Sequence, residues 1–231
     1  MASVDPVPTD AAPGPAPARL VVVAGTGTEV GKTWVASRLL TELRAMGLSV
    51  SARKPAQSFD PGDTETDAHL LAAATGESHT DVCPRHRWYE RAMAPPMAAD
   101  ALGRPPFTVA ELVAELAWPF PAPDVALVET AGGLRSPLAA DGDGLSLIEA
   151  LQPDLVVVVA DAGLGTINAV RLTLEALDHG SHVADQVVFL NRYDGADDLH
   201  RRNADWLTGH DGLAVDLTVP DLARRVRGIA R

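Results

Sequence analysis

Short apolar runs alternate with longer, mixed stretches from residue 20 onward. Residues 20–24, 125–129, 155–161 and 186–190 are nearly continuous Val/Leu/Ala segments of strand length, as expected for strands buried on both faces of a parallel sheet. Between them lie segments of helical length: 31–46, ended by Gly47; 66–75, closed by Gly76; 108–117, opened by Thr108 as N-cap; 145–151; and 197–207. A further helix is expected over 167–177, with Leu172, Leu174 and Leu177 available for packing. Weaker strands are expected over 49–53, stopped by Pro55, and over 214–219, followed by a terminal helix after Pro220. Residues 77–106, rich in Pro, Arg and Met and without a period, are expected to form an irregular excursion with one short helix around 97–102. Strands alternating with helices imply one doubly wound, mainly parallel α/β sheet flanked by helices, with ligands outside the carboxyl ends of the strands.

Composition narrows the partners. The chain has 231 residues, enough for a single α/β domain, and a formal net charge of −12, which opposes nucleic-acid or anionic-membrane binding. No apolar run reaches the roughly 20 residues of a spanning helix, so small molecules are the expected partners. Residues 1–18 are rich in Pro and Ala and lack the basic start and apolar core of a signal peptide; they are expected to be a disordered leader, with the domain over 19–231. Cys83 is the single cysteine, which rules out an intramolecular disulfide, suits a reducing cytoplasm and reads as structural. The seven histidines show no metal-ligand spacing, and no zinc is assigned.

Chemistry enters at Gly25-Thr26-Gly27-Thr28-Glu29-Val30-Gly31-Lys32-Thr33, a Gly-rich turn between an apolar strand and a helix. Backbone N–H groups and the helix dipole suit phosphate binding there, with Lys32 reaching the terminal phosphates and Thr33 placing its hydroxyl on Mg²⁺. The usual P-loop glycine five positions before Gly31 is replaced by Thr26, and Gly25 stands one position earlier. The strand–turn–helix context still makes this a P-loop NTPase-type fold.

This loop resembles the nucleotide loop of the dethiobiotin synthetase family. The similarity continues in order through Lys54-Pro55, Ser58, Asp67, Ala94 to Ala99, Gly103-Arg104-Pro105, Val128-Glu129-Thr130-Ala131-Gly132-Gly133 and Gly165-Thr166-Ile167-Asn168, so that it spans residues 20–222. It implies an ATP- and Mg²⁺-dependent ligase that closes a cyclic urea from CO₂ and 7,8-diaminononanoate through a carbamate and a carbamic-phosphoric anhydride. On this resemblance Lys32 and Lys54 are catalytic, and Thr33, Asp67 and Glu129 supply oxygens for Mg²⁺. The nucleotide falls to Gly27, Thr28, Glu29, Val30, Gly31, Lys32, Thr33, Trp34, Asp67, Glu129 and Gly132, with Asn191, Arg192 and the turn of Val219, Pro220, Asp221 and Leu222 toward the base. Substrate falls to Thr28, Ser58 and Gly132, and its distal carboxylate to Leu164, Gly165 and Asn168 across the two-fold interface of a homodimer. Lys54 is expected to be an exposed site lysine whose removal abolishes turnover and leaves the fold intact.

Phe59, Thr130 and Ala169 depart from the family pattern, which has glycine, glycine and often histidine there; these bear on substrate more than on nucleotide. Two other functions fit a P-loop. A cobyrinate-type amidating ligase would carry a glutaminase with a cysteine nucleophile, against which Cys83 as a lone structural cysteine speaks. A ParA or MinD-like ATPase switch usually has a lysine near its first glycines, and residues 24–30 contain none.

Overall fold

A computed structural model of the chain describes residues 16–180 and 185–229. Its first half runs β1 (Leu20–Gly25), α1 (Lys32–Ala45), β2 (Val50–Arg53), β3 (Gln57–Ser58), α2 (Asp67–Thr75), α3 (His79–Val82), β4 (Trp88–Tyr89), α4 (Pro95–Ala101) and α5 (Val109–Ala114). The second half runs β5 (Val125–Glu129), β6 (Pro137–Ala139), β7 (Gly142–Asp143), α6 (Gly144–Leu151), β8 (Leu155–Asp161), α7 (Thr166–Asp178), β9 (Asp185–Asn191), α8 (Asp198–Asp205), β10 (Val215–Asp216) and α9 (Val219–Gly228).

Six strands form one parallel sheet in the order β10-β9-β8-β1-β5-β2. The period of two along each strand divides the core. Val22 and Ala24 of β1, with Val156 and Val158 of β8, face a cluster completed by α5, α6 and α7. Val21 and Val23, with Leu155 and Val157, face a second cluster filled by Val35 and Leu39 of α1, Leu71 of α2, and Leu222 and Val226 of α9. Helices on both faces explain why the strands are apolar at consecutive positions: every side chain of Val21 to Ala24 is fully buried. The carboxyl ends of β1, β5 and β2 then open on one side, where ligands bind in such sheets.

The structure departs from the sequence reading in several places. Leu172 is 58% exposed, because α7 buries Val170, Thr173, Leu174 and Leu177, a face that Leu172 does not share. The strand expected over 214–219 is only Val215–Asp216, since Thr218 caps α9, accepting the Asp221 N–H, and the helix starts one residue before Pro220. α8 ends at Asp205 and continues as a π turn over Trp206–His210. Residues 77–106 contain α3, β4 and α4, and β4 pairs in parallel with β3, Gln57 opposite Trp88 and Ser58 opposite Tyr89. Strands of two residues carry no period that a sequence can show. Of the leader, residues 1–15 lie outside the described residues, whereas Pro17 is buried and Ala18 donates its N–H to the Pro123 carbonyl at 3.0 Å. Residues 230–231 of the expected domain also lie outside. No helix of the described residues is long and apolar enough to cross a membrane.

Candidate active site

The Gly-rich turn is built by its neighbours. At the end of β1, Thr26 donates its N–H to Val159 O of β8, and the Thr130 N–H bonds Val23 O. The chain then turns so that Gly31, at φ +90°, caps α1. A side chain at position 31 would be strained in that left-handed conformation, and a Cβ there would lie 2.1 Å from Asn191 Nδ2. The end of β9 clamps the turn: Asn191 Nδ2 donates to Val30 O at 2.9 Å, and Arg192 Nη2 donates to Glu29 O at 2.9 Å while Nη1 pairs with Asp161 at 2.7 Å. The first N–H groups of α1, which have no acceptor within a helix, thus open on the turn. Lys32 Nζ rests on Gly27 O at 3.2 Å; burial first, and then repulsion by Lys54, push its ammonium down to about 8.

Behind the loop lies a buried ion cluster. Lys54 Nζ contacts Glu129 Oε1 at 2.6 Å, Asp67 Oδ2 at 2.8 Å and Thr130 O at 3.1 Å. Lys54 is 2% exposed and Glu129 1%, so the expectation of an exposed lysine is corrected: the side chain runs from the end of β2 into the interior, where two carboxylates hold it. Burial alone would push Lys54 down, yet Asp67 and Glu129 together raise it above the ordinary lysine value. For Asp67, burial is outweighed by Lys54 and the carboxyl is held low, whereas for Glu129 burial prevails and the carboxyl is raised. Thr33 Oγ1 lies 2.8 Å from Asp67 Oδ1 and 2.7 Å from Glu129 Oε1. A hydroxyl has one proton to give, so these two acceptors compete for it.

This donor set fits Mg²⁺. Two carboxylates and one hydroxyl converge, and Glu129 Oε2 is buried with no partner among the described residues. Among those residues no group of three or more His, Cys, Asp and Glu could hold a metal, and Mg²⁺ fits such a sparse set because it keeps several waters.

A cavity of about 630 Å³ opens in front of this cluster and brings together Thr28, Glu29, Gly31, Lys32, Thr33, Trp34, Lys54, Ser58, Asp67, Glu129 and Gly132. Gly27 and Val30 belong to the same turn without lining the cavity. Gly132 has φ +69°, and a Cβ there would meet Ser136 Cβ at 2.7 Å. A neighbouring cavity of about 420 Å³ shares Gly31 and Trp34 and is walled by Asn191, Arg192, Tyr193, Leu217, Thr218 and Val219. Around the last turn the placement differs from the sequence reading. Leu222 is fully buried in the core, Pro220 is exposed, and Asp221 is tied to Thr218 and Arg224, so that of the expected turn Val219 lines this cavity, joined by Leu217 and Thr218. Leu164, at 93% exposure, Gly165 and Asn168 are exposed and line neither cavity. Cys83 is buried, and burial pushes its thiol up to about 12, which leaves it inert as a nucleophile. Sequence reasoning missed Gln57, Tyr193, Leu217 and Thr218 as cavity residues; Gln57 alone had a signal, its place between Lys54 and Ser58.

Comparison with known proteins bears on what this arrangement is. A family model described as an AAA domain matches residues 19–224. The ATP-dependent dethiobiotin synthetase of Anaeromyxobacter dehalogenans (strain 2CP-C) is 40% identical over 219 residues, covering 91% of this chain and 95% of that one. The chain belongs to the dethiobiotin synthetase family. Relatives of the same name from Methylobacterium nodulans (37% identity, covering 84% of this chain and 89% of the relative) and Rhodococcus jostii (36%, 87% and 86%) agree. A plasmid partition protein of Borrelia burgdorferi B31 bound to AMPPNP superposes with a TM-score of 0.54, covering 93% of this chain and 98% of that one. At 11% identity that likeness shows the P-loop NTPase fold alone. Within the synthetase family the departures at Phe59 and Thr130 have defined places: Phe59 lines the larger cavity edge-on to Trp88, and Thr130 is fully buried with its carbonyl on Lys54.

Proposed function

We propose that this chain is an ATP- and Mg²⁺-dependent ligase that converts 7,8-diaminononanoate and CO₂ to dethiobiotin, ADP and phosphate. The observation that carries this reading is the convergence, on one cavity, of a phosphate-binding turn, Lys32, and the cluster of buried Lys54 and Glu129 with half-buried Asp67. One amine of the substrate takes up CO₂ as a carbamate, losing a proton. A carbamate oxygen attacks the γ-phosphorus and ADP leaves. The second amine then attacks the carbonyl carbon of the mixed anhydride, losing a proton and expelling phosphate as the cyclic urea closes.

The residues present do what this chemistry asks. N–H groups at the start of α1 and the Lys32 ammonium offset the charge of the transferring phosphoryl. Lys54, kept protonated by its two carboxylates, lines the same cavity and would meet the carbamate by exchanging one of those bonds for it. Thr33, Asp67 and Glu129 would hold Mg²⁺, which supplies neutralisation of phosphate oxygens when bound. The second cavity suits the base: with Asn191 Nδ2 engaged by Val30 O, its Oδ1 is the atom left to accept from a base amino group. The exposure of Leu164, Gly165 and Asn168 supports a carboxylate site completed by a second copy in a homodimer. A buried lone cysteine and the relatives' biosynthetic names support the cytoplasm as its place.

The test is ATP consumption in the purified chain. It should require Mg²⁺, the diamine and bicarbonate together; equal hydrolysis without the diamine would favour an ATPase switch instead.

A further inference from the structure

We propose that Gln57 is a substrate-binding residue whose side-chain N–H donates to the carbamate oxygen formed on the diamine, an assignment that rests on the ligase reading above. Gln57 lies on β3, directly before Ser58, and forms part of the larger cavity's wall together with Lys54. Its Oε1 accepts the Ala68 N–H in the first turn of α2 at 3.0 Å. That bond fixes the orientation of the amide, because exchanging oxygen and nitrogen would set two donors against each other. Nε2 is then left buried with no partner among the described residues, on a residue that is 2% exposed. Native structures rarely keep a buried donor unpaired, and a ligand is one of the standard reasons for it.

The chemistry of the wall says what the ligand offers. Ser58 gives its one hydroxyl proton to Met93 O at 2.6 Å, so toward the cavity it can only accept. Gln57 can only donate, so the ligand atom it meets is an acceptor. An acceptor beside a group that itself carries an N–H describes a carbamate: its oxygen would meet Gln57, and its N–H would meet Ser58. Gln57 belongs to β3 and not to the nucleotide turn, and the proposal places its bond on the substrate side of the reaction.

Two substitutions separate this role from a structural one. Gln57→Glu keeps an oxygen for Ala68 and loses the donor; Gln57→Met loses both. The substrate role predicts a fall of about 10- to 100-fold in kcat/KM for the diamine in both variants, the loss of one charge-assisted hydrogen bond, with Glu impaired at least as much as Met. Affinity for a non-hydrolysable ATP analogue in the absence of diamine should stay within about threefold of the parent, one hydrogen bond on the substrate side being no part of it. If Glu matches the parent while Met is impaired, the amide serves only Ala68 and the proposal falls; a loss of nucleotide affinity in step with kcat/KM overturns it as well. A readout that needs no variant is the side-chain amide resonance of Gln57 in the ¹⁵N-labelled parent. It should shift when diamine and bicarbonate are added to the nucleotide-bound protein, and an unmoved resonance refutes the contact. Failure of the ligase reading itself would show earlier and separately, as a parent protein that does not consume ATP with the diamine.

Discussion

Replacing Lys54 with alanine should weaken the fold as well as the chemistry. Its Nζ lies between Glu129 Oε1 (2.6 Å) and Asp67 Oδ2 (2.8 Å), and the lysine and glutamate side chains are 2% and 1% exposed. Once the ammonium is gone, Thr33 Oγ1 is the remaining bond to Glu129 Oε1 among the described residues, and Oε2 has none there. Removing one member of a buried pair costs about 3–5 kcal/mol, mostly as the charge left behind. Asp67 is 39% exposed on its side chain and can rehydrate, which places the expectation toward the lower end of that range. For a domain of this size each kcal/mol moves Tm by about 2–4 °C, so a fall of about 6–15 °C is expected by calorimetry near pH 8. The sign of the pH dependence follows from Glu129. Burial already raises its carboxyl above the unfolded value of 4.5, and loss of Lys54 removes the charge that opposes this shift. A carboxyl raised on folding binds more protons when folded, so the folded state gains as pH falls through the raised value toward the unfolded one. The deficit of the variant must therefore shrink on acidification from about pH 8 to about pH 5.5, and Lys54→Met combined with Glu129→Gln should recover most of it. A Tm for Lys54→Ala within about 1 °C of the parent at pH 8, a shift of well under 1 kcal/mol, would refute the reasoning.

Lys32 gives a prediction in the opposite pH range. Its ammonium titrates near 8 in the free protein, and a bound polyphosphate keeps it charged, so nucleotide affinity should fall above pH 8 by up to about tenfold per unit. Calorimetry at about pH 8.5 in two buffers of different ionisation enthalpy should show proton uptake on binding, and Lys32→Met should abolish it; buffer-independent heats would contradict the assignment. Gly31→Ala should cost at least the roughly 1–2 kcal/mol of a left-handed residue, because it also displaces Asn191, whose Nδ2 stands 2.1 Å from the new Cβ. Urea unfolding measures that loss, and a stability unchanged from the parent would show that the turn can relax.

The larger features were legible because each depends on local pattern. Val21 to Ala24 and Leu155 to Ala160 are apolar at every position, and only a sheet covered on both faces asks for that. The strand–turn–helix around Gly31 announced the phosphate site, and the succession of Lys54, Asp67 and Glu129 announced charged partners for it. The misreadings have two origins. Leu172 is as apolar as its neighbours, but the helical period of α7 turns Val170, Thr173, Leu174 and Leu177 inward and leaves it outside; β3 and β4 exist only as each other's partner across 31 positions of sequence, Gln57 to Trp88.

The sequence by itself determined the sheet class, the nucleotide turn and which residues could be charged near a ligand, since these follow from the period of apolar positions and from short motifs. Tertiary structure alone decided the environment of those residues. It made Lys54 a buried member of an ion cluster, added Leu217 and Thr218 to Val219 in the wall of the second cavity while placing Leu222 in the core, and left Gln57 with a donor that has no partner among the described residues, on a residue that lines the larger cavity. Burial and hydrogen-bond partners come from segments that meet only when the sheet closes, and the order of residues along the chain carries no record of that meeting.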